Sequence, residues 1–346
     1  MKGHIKYVVK GVCLILLVLL FMRLADRVLI PKYYYNNKWS TTATYHGFYE
    51  IKDDTVDVLF LGSSHAACAF NPQVLYNEYG ITSYNLGCEQ QNLLLSYYWL
   101  KEALRSQKPR AVVLDSYILF EYKAGEALNT EEACTRKAVD VMKWGEVKRE
   151  TIQAICRNDS EQTESSYYFP NLRFHTRWSE LGEDDFTYTE LEGYTELKGY
   201  NVLLGYYNRQ DYAPMEEAEM REGEPAVPLM VEYLQKIVDL CAENEIELIL
   251  VKTPTTKQTW EKHNTVESYA REAGVQFYDF NIQELYGTCN FDFASDMADD
   301  EHANVSGANK LTEYMGEILS EKCGITKHVD AQWADTDWFY QNISKD

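Results

Sequence analysis

Val56-Asp57-Val58-Leu59-Phe60-Leu61-Gly62-Ser63-Ser64-His65 is a compact apolar run closed by a glycine and two hydroxyl residues. So short a run, ended by turn residues, reads as a buried strand that stops at Gly62. The pattern recurs along the chain: Tyr84-Asn85-Leu86-Gly87 ends a second strand, and Ala111–Asp115, Ile246–Val251 and Val275–Phe280 supply three more. Segments of helical period lie between them at roughly 91–106, 228–244, 257–273 and 306–322. Strands separated by such segments predict an α/β domain with a parallel sheet and right-handed crossovers. In that architecture ligands sit at the carboxyl ends of the strands.

The alternation stops between about 121 and 227, a stretch rich in Glu, Tyr and Gly with one helix expected near 136–156. It reads as an insertion that caps the sheet edge and shapes the substrate site. The expected organisation is a signal anchor at 1–30, a connector at 31–50 and one domain at 51–346 that carries the insertion. The final segment from His328 holds Trp333, Trp338, Phe339 and Tyr340 and is expected to pack back on the domain.

At the amino end Lys2, Lys6 and Lys10 precede the run from Gly11 to Met22. This is the pattern of an export or anchoring segment, somewhat short of the ~20 residues that span a bilayer. Arg23-Leu24-Ala25-Asp26-Arg27 offers no small-residue cleavage site, and Val28-Leu29-Ile30 extends the apolar stretch, so an uncleaved single-pass anchor with an extracytoplasmic domain is expected.

Composition narrows the function. The chain has 346 residues, 45% of them hydrophobic, enough for a full core. Its 54 acidic against 33 basic side chains give a formal charge of −21, which disfavours nucleic acid. The 27 Tyr and 7 Trp suit a packed core better than a sugar platform. Eight cysteines at scattered spacings form no zinc pattern. Cys68 and Cys88 read as small buried apolar residues, with a bridge between them as the alternative.

Two constellations carry chemistry. In Leu61-Gly62-Ser63-Ser64-His65 a hydroxyl stands directly after the first strand, where a strand-to-helix turn exposes it. Before the last helix, Asp299-Asp300-Glu301-His302-Ala303-Asn304-Val305-Ser306-Gly307 places an acid three residues ahead of a histidine. On one face of a turn, the acid fixes the imidazole tautomer while the other nitrogen faces a nucleophile. The acidic cluster around Asp296, Asp299, Asp300 and Glu301 lacks the alternating ligands and glycine of a calcium loop, so neither metal nor cofactor is expected.

Gly62-x-Ser64, Asn85-x-Gly87 and Asp299-x-x-His302-x-Asn304-x-x-Gly307 resemble blocks I, II and V of the SGNH (GDSL-like) hydrolases. The match covers about 55–120 and 228–322, and the Gly-Ser-Ser start with its amino-terminal anchor is similar to the membrane-anchored DltD and AlgJ/AlgX-like branch. The resemblance implies a flavodoxin-like three-layer sandwich, Ser64 as nucleophile, His302 as base and then acid, and Asp299 as its orienter. It also implies an oxyanion hole from the backbone amides of Ser64 and Gly87.

Ser63 stands where the family usually has Asp, and no Gly-x-Asn-Asp block is found. The third oxyanion donor is therefore unassigned, and the candidates for it are a side-chain amide of Gln91 or Asn92, or a group in Lys252-Thr253-Pro254-Thr255. His65 is expected to turn away from Ser64. Together these readings predict an O-acyl esterase or O-acyltransferase acting on a cell-envelope glycan, with an acylated glycan or acyl donor and a membrane-bound O-acyltransferase as partners. The alternative is an inactive SGNH-like module that binds glycan or such a partner.

Overall fold

The structure is a computed structural model that describes residues 2–32, 41–121, 132–187, 195–207, 212–216 and 222–336. Five strands, β1 (Val58–Gly62), β2 (Ser83–Gly87), β3 (Ala111–Asp115), β4 (Glu247–Lys252) and β5 (Gln276–Asp279), form one parallel sheet in the order β2-β1-β3-β4-β5. This is the flavodoxin-like order. Phe60 pairs with Asn85 on one side and Val113 on the other, which places the ends of β1, β2 and β3 side by side.

Each strand points alternate side chains to opposite faces, and each face has its own core. Leu59, Leu61, Val112, Leu114, Leu248 and Leu250 join one, and Val58, Phe60, Val113, Ile249 and Val251 join the other. That is why the strand sequences are unbroken apolar runs with no polar alternation.

Before the first strand in sequence come α1 (Lys2–Leu29) and α2 (Thr41–Phe48). Ser64–Ala69 (α3) and Pro72–Tyr79 (α4) follow β1, and Leu93–Ala103 (α5) follows β2. The insertion contributes α6 (Glu132–Val139), α7 (Glu146–Asn158), α8 (Glu164–Tyr168) and α9 (Asn171–Phe174), then 3₁₀ turns at His175–Ser179 and Glu183–Phe186. Pro228–Glu243 (α10), Trp260–Ala273 (α11), Gln283–Thr288 (α12), Phe293–Asp296 (α13), Val305–Glu321 (α14) and Ala331–Ala334 (α15) complete the helices of the described residues. Helices α5 and α10 cover the first core and α3, α4 and α14 the second, giving three layers.

The single helix expected near 136–156 is two helices, because Gly145 sits in extended backbone as the N-cap of α7 while Val141 and Met142 turn inward to the core. Trp333 of α15 is fully buried and its indole donates to the Ser83 carbonyl at 3.2 Å, which ties the end of the chain to β2. Trp338, Phe339 and Tyr340 lie outside the described residues. Cys68 and Cys88 are separate buried thiols. The 28-residue α1 exposes Leu14 to Phe21 almost throughout and is long and apolar enough to be a membrane anchor or signal sequence.

Candidate active site

The turn after β1 is shaped by Gly62, whose φ is +145°. A Cβ there would meet Ala66 Cβ and Asp115 Cβ at 3.0 Å, so only glycine lets the chain leave the sheet this way. Ser63 caps α3, its hydroxyl accepting from the His65 amide at 3.4 Å, and Ser64 becomes the first residue of the helix with its side chain at the sheet edge. Gly87 ends β2 opposite Gly62, and a Cβ on it would stand 2.8 Å from the Gly62 carbonyl oxygen. Asn85 braces the far end of α3, donating to the Phe70 carbonyl at 2.8 Å.

Ser64, His302 and Asp299, 235 residues or more apart across the chain in the first case, meet in one line. Ser64 Oγ lies 2.8 Å from His302 Nε2, and His302 Nδ1 lies 3.0 and 2.9 Å from the two Asp299 oxygens. Nδ1–H therefore donates to the carboxylate, leaving the Nε2 lone pair for the serine hydroxyl. Asp299 is itself fixed, because its Oδ1 accepts from the amides of Glu301 and His302, each at 2.8 Å. Burial pushes the Asp299 carboxyl up, but the Glu301 amide, the His302 imidazole and the His302 amide outweigh it and hold the group below its ordinary value.

A cavity of about 450 Å³ opens over this line, walled by Ser64, Gln90, Tyr117, Glu121, Lys257 and Glu301 among others. Glu301, between the triad acid and the histidine, is held from three directions. The Tyr117 hydroxyl donates to it at 2.7 Å, the Lys257 ammonium bonds it, and His65 Nε2 faces it at 3.6 Å. His65 foremost, then Lys257 and Tyr117, hold the Glu301 carboxyl well below the usual carboxylate range. The buried His65 ring stacks on Tyr117 with centroids 3.7 Å apart and meets Thr253 Oγ1 through Nδ1 at 3.2 Å. Thr253 in turn is fastened by its amide to Asp115 at the end of β3. Burial lowers the His65 pKa, which keeps the ring neutral beside His302.

The other expected donors sit elsewhere. Gln91 is fully buried, donating to the Leu86 carbonyl at 2.8 Å and Ser96 Oγ at 3.0 Å while Tyr45 bonds its oxygen. Asn92 is spent as the N-cap of α5, accepting from the Leu95 amide at 3.0 Å. Neither lines the cavity; their neighbours Glu89 and Gln90 do. Thr255 serves a turn whose amide donates to Asn281 at 2.8 Å, and Lys252 is buried with its ammonium 4.4 Å over the Tyr117 ring. His65 points into the cavity wall through Glu301 and not away from the site. Tyr117 and Lys257 were not singled out by the sequence, and Glu301 was weighed only as part of an acidic metal-binding cluster. The position of Glu301 inside Asp299-x-x-His302 was the available signal.

No family model matches the sequence, and no curated protein matches it. Among solved structures, the chain is similar to a protein assigned as lipolytic, of the G-D-S-L family, from Desulfitobacterium hafniense. Identity there is 12%, covering 76% of this chain and 99% of that one, with a TM-score of 0.36. It is also similar to a protein assigned as an acylhydrolase from Bacteroides fragilis (11%, 81% and 95%, TM-score 0.38). A GDSL-like lipase from Bacteroides thetaiotaomicron gives 10%, 83% and 100%, with a TM-score of 0.37. By its own sheet order the chain is an α/β protein of flavodoxin-like topology with a Ser-His-Asp line at the carboxyl edge of its sheet.

Proposed function

We propose that this chain is an SGNH-type serine esterase or acyltransferase that works through an acyl-serine. The observation that supports it most is the Ser64–His302–Asp299 line, with 2.8 Å between hydroxyl and imidazole and 2.9 Å between imidazole and carboxylate. Ser64 Oγ attacks the ester carbonyl carbon as His302 Nε2 takes its proton. The C–O bond to the leaving alcohol then breaks, and His302 returns the proton to that alcohol. A water or a second hydroxyl gives its proton to His302 and attacks the acyl-serine carbonyl. The C–O bond to Ser64 then breaks, and His302 passes the proton to Ser64 Oγ, which releases acid or a new ester and restores the free hydroxyl. The amides of Ser64 and Gly87 are the proposed oxyanion donors, on a turn that the two glycines allow to close tightly.

In this reading α1 is a retained anchor, the domain is extracytoplasmic, and the acyl donor or acceptor is an envelope glycan, served together with a membrane-bound O-acyltransferase. The test joins two measurements. A fluorophosphonate probe should label the wild-type chain and not Ser64→Ala, and mass spectrometry should show altered surface-glycan acylation in Ser64→Ala cells. Absent labelling of the wild type would remove the catalytic reading in favour of an inactive binding module. Labelling with unchanged glycans would remove only the substrate.

A further inference from the structure

A second cavity, of about 910 Å³, shares no lining residue with the catalytic one. Leu19, Met22 and Asp26 of α1 form one wall, and Lys143, Trp144 and Lys148 stand opposite. The apolar helix reaches the domain here, packing against α9 and the two 3₁₀ turns that follow it. Trp144, Tyr168, Phe169, Trp178 and Phe186, all on this part of the insertion, are exposed, with Trp178 at 73%. Aromatic side chains gathered where an apolar helix leaves a domain match the level of lipid headgroups.

The polar side of the cavity is unbalanced. His46 Nε2 and Asp26 Oδ1 are buried atoms on its wall without a hydrogen-bond partner. Such atoms are costly unless a ligand meets them. The Asp140 carboxylate is already taken by Arg136 at 3.5 Å and Arg173 at 3.4 Å. Lys148 donates to the carbonyls of Asp140 and Met142 with the Trp144 ring 4.4 Å below its ammonium. Burial pushes the Lys148 pKa down to about 8 against the opposing pull of the Asp140 charge, and Lys143 lies 4.3 Å over the Tyr49 ring. Dipoles and rings hold a cation in place without cancelling its charge. Burial first, then the fields of Lys148 and Lys143, push the His46 imidazole down to about 4. Positive potential beside an apolar wall calls for an amphiphile with an anionic head.

We propose that this cavity binds the phosphoryl headgroup of an anionic membrane phospholipid, with its acyl chains lying along α1 beside Leu19 and Met22. The phosphoryl oxygens meet Lys143, Lys148 and the His46 Nε2–H tautomer, and a headgroup hydroxyl donates to Asp26. The proposal rests on α1 being a retained anchor. Free phosphate would satisfy the cations and leave the apolar wall bare, so the lipid is the occupant.

The full chain is placed in nanodiscs of phosphatidylcholine with and without phosphatidylglycerol, and native mass spectrometry counts the lipids retained. Wild type is expected to keep phosphatidylglycerol in preference to phosphatidylcholine. Lys143→Glu should retain it roughly tenfold more weakly, Trp144→Ala more weakly too, and Lys143→Arg as wild type. Inorganic phosphate should fail to displace it. Equal retention by wild type, Lys143→Glu and Trp144→Ala overturns the proposal, as does displacement by inorganic phosphate. Thermal unfolding of each variant in the same samples reports correct folding, and fluorophosphonate labelling of Ser64 tests the catalytic reading independently. An intact mass lacking α1 in cells overturns the anchor, and the lipid site with it, while leaving the serine chemistry untouched.

Discussion

Glu301→Gln keeps the side chain's shape and removes its charge, so it tests whether the clamp on the catalytic loop matters for turnover. The carboxylate ties the loop carrying Asp299 and His302 to Tyr117 after β3, at 2.7 Å, and to Lys257 before α11. A hydrogen bond to a charged group contributes about 1.5–3 kcal/mol, and partial exposure places this one at the low end, about 1.5 kcal/mol. The loop must hold His302 Nε2 at 2.8 Å from Ser64 Oγ for proton transfer. Losing that hold should lower kcat about tenfold and leave KM within about twofold, because nothing the substrate needs for ground-state binding has gone. Tyr117→Phe removes one of the contacts and should cost about threefold. Because the Glu301 carboxyl is depressed, its contribution is full above the ordinary carboxylate range and fades only as pH falls through the lowered value. The difference between wild type and Glu301→Gln should therefore persist into mildly acidic buffer. Steady-state hydrolysis of a small aryl ester, with thermal unfolding on the same samples, decides the matter. If both variants lose thermal stability while kcat stays at the wild-type value, the clamp holds the fold and not the chemistry.

Ser64→Ala should abolish ester hydrolysis, and Asp299→Asn should lower kcat by about 10³–10⁴ with little change in KM, since the tautomer of His302 is no longer fixed. Stability should fall on acidification between pH 6.5 and about 4, where the unfolded chain protonates His46 and the folded one does not. Allowing for partial exposure the loss is roughly 2–3 kcal/mol, and urea unfolding of His46→Gln should show a flatter pH dependence over that window. The cavity over Ser64 carries Glu89, Glu121 and Glu301 against Lys257, and Glu89 is itself paired with Lys137, which leaves an excess of one carboxylate. At an average separation of about 8 Å in water, that excess should favour a cationic over a neutral ester about twofold in kcat/KM at low salt, and near parity should return at about 1 M salt. A preference for anionic esters would contradict the sign.

The scaffold was legible because strands covered on both faces must be apolar throughout. Val58–Leu61, Ala111–Leu114 and Leu248–Val251 could hardly be anything else. Ser64 and His302 were legible for a different reason, since both stand where a strand or loop hands over to a helix, next to glycines or caps that leave a local mark. The rest of the site left no such mark. Tyr117 follows β3 in a 3₁₀ turn, Lys257 precedes α11, and both reach Glu301 only once the sheet order brings β3 and β4 together. Gln91 misled for a related reason. Its amide follows Gly87 closely enough to suggest a donor, but the capping of α5 by Asn92 turns Gln91 into the core toward Leu86 and Ser96. Chain proximity says little about direction when a helix begins within the same few residues.

The insertion links the two cavities more directly than the scaffold does. Helix α6 is two turns long. Cys134 near its start lines the catalytic cavity, and Asp140, just past its end, lines the cavity beside α1. Between them Arg136, almost wholly buried, bonds Ser166, pairs with Glu132 at 2.8 Å and lies 3.3 Å over the Tyr167 ring. A guanidinium so enclosed acts as a pin: α6 cannot shift toward either cavity without stripping it of partners in a poorly hydrated site. Cys134 of α6 thus sets part of the wall around Ser64, and Asp140, directly after the helix, part of the wall around the lysines. On the proposed reading, in which acyl substrates are taken at a membrane surface, α6 would hold the distance between Ser64 and the lysines of the second cavity.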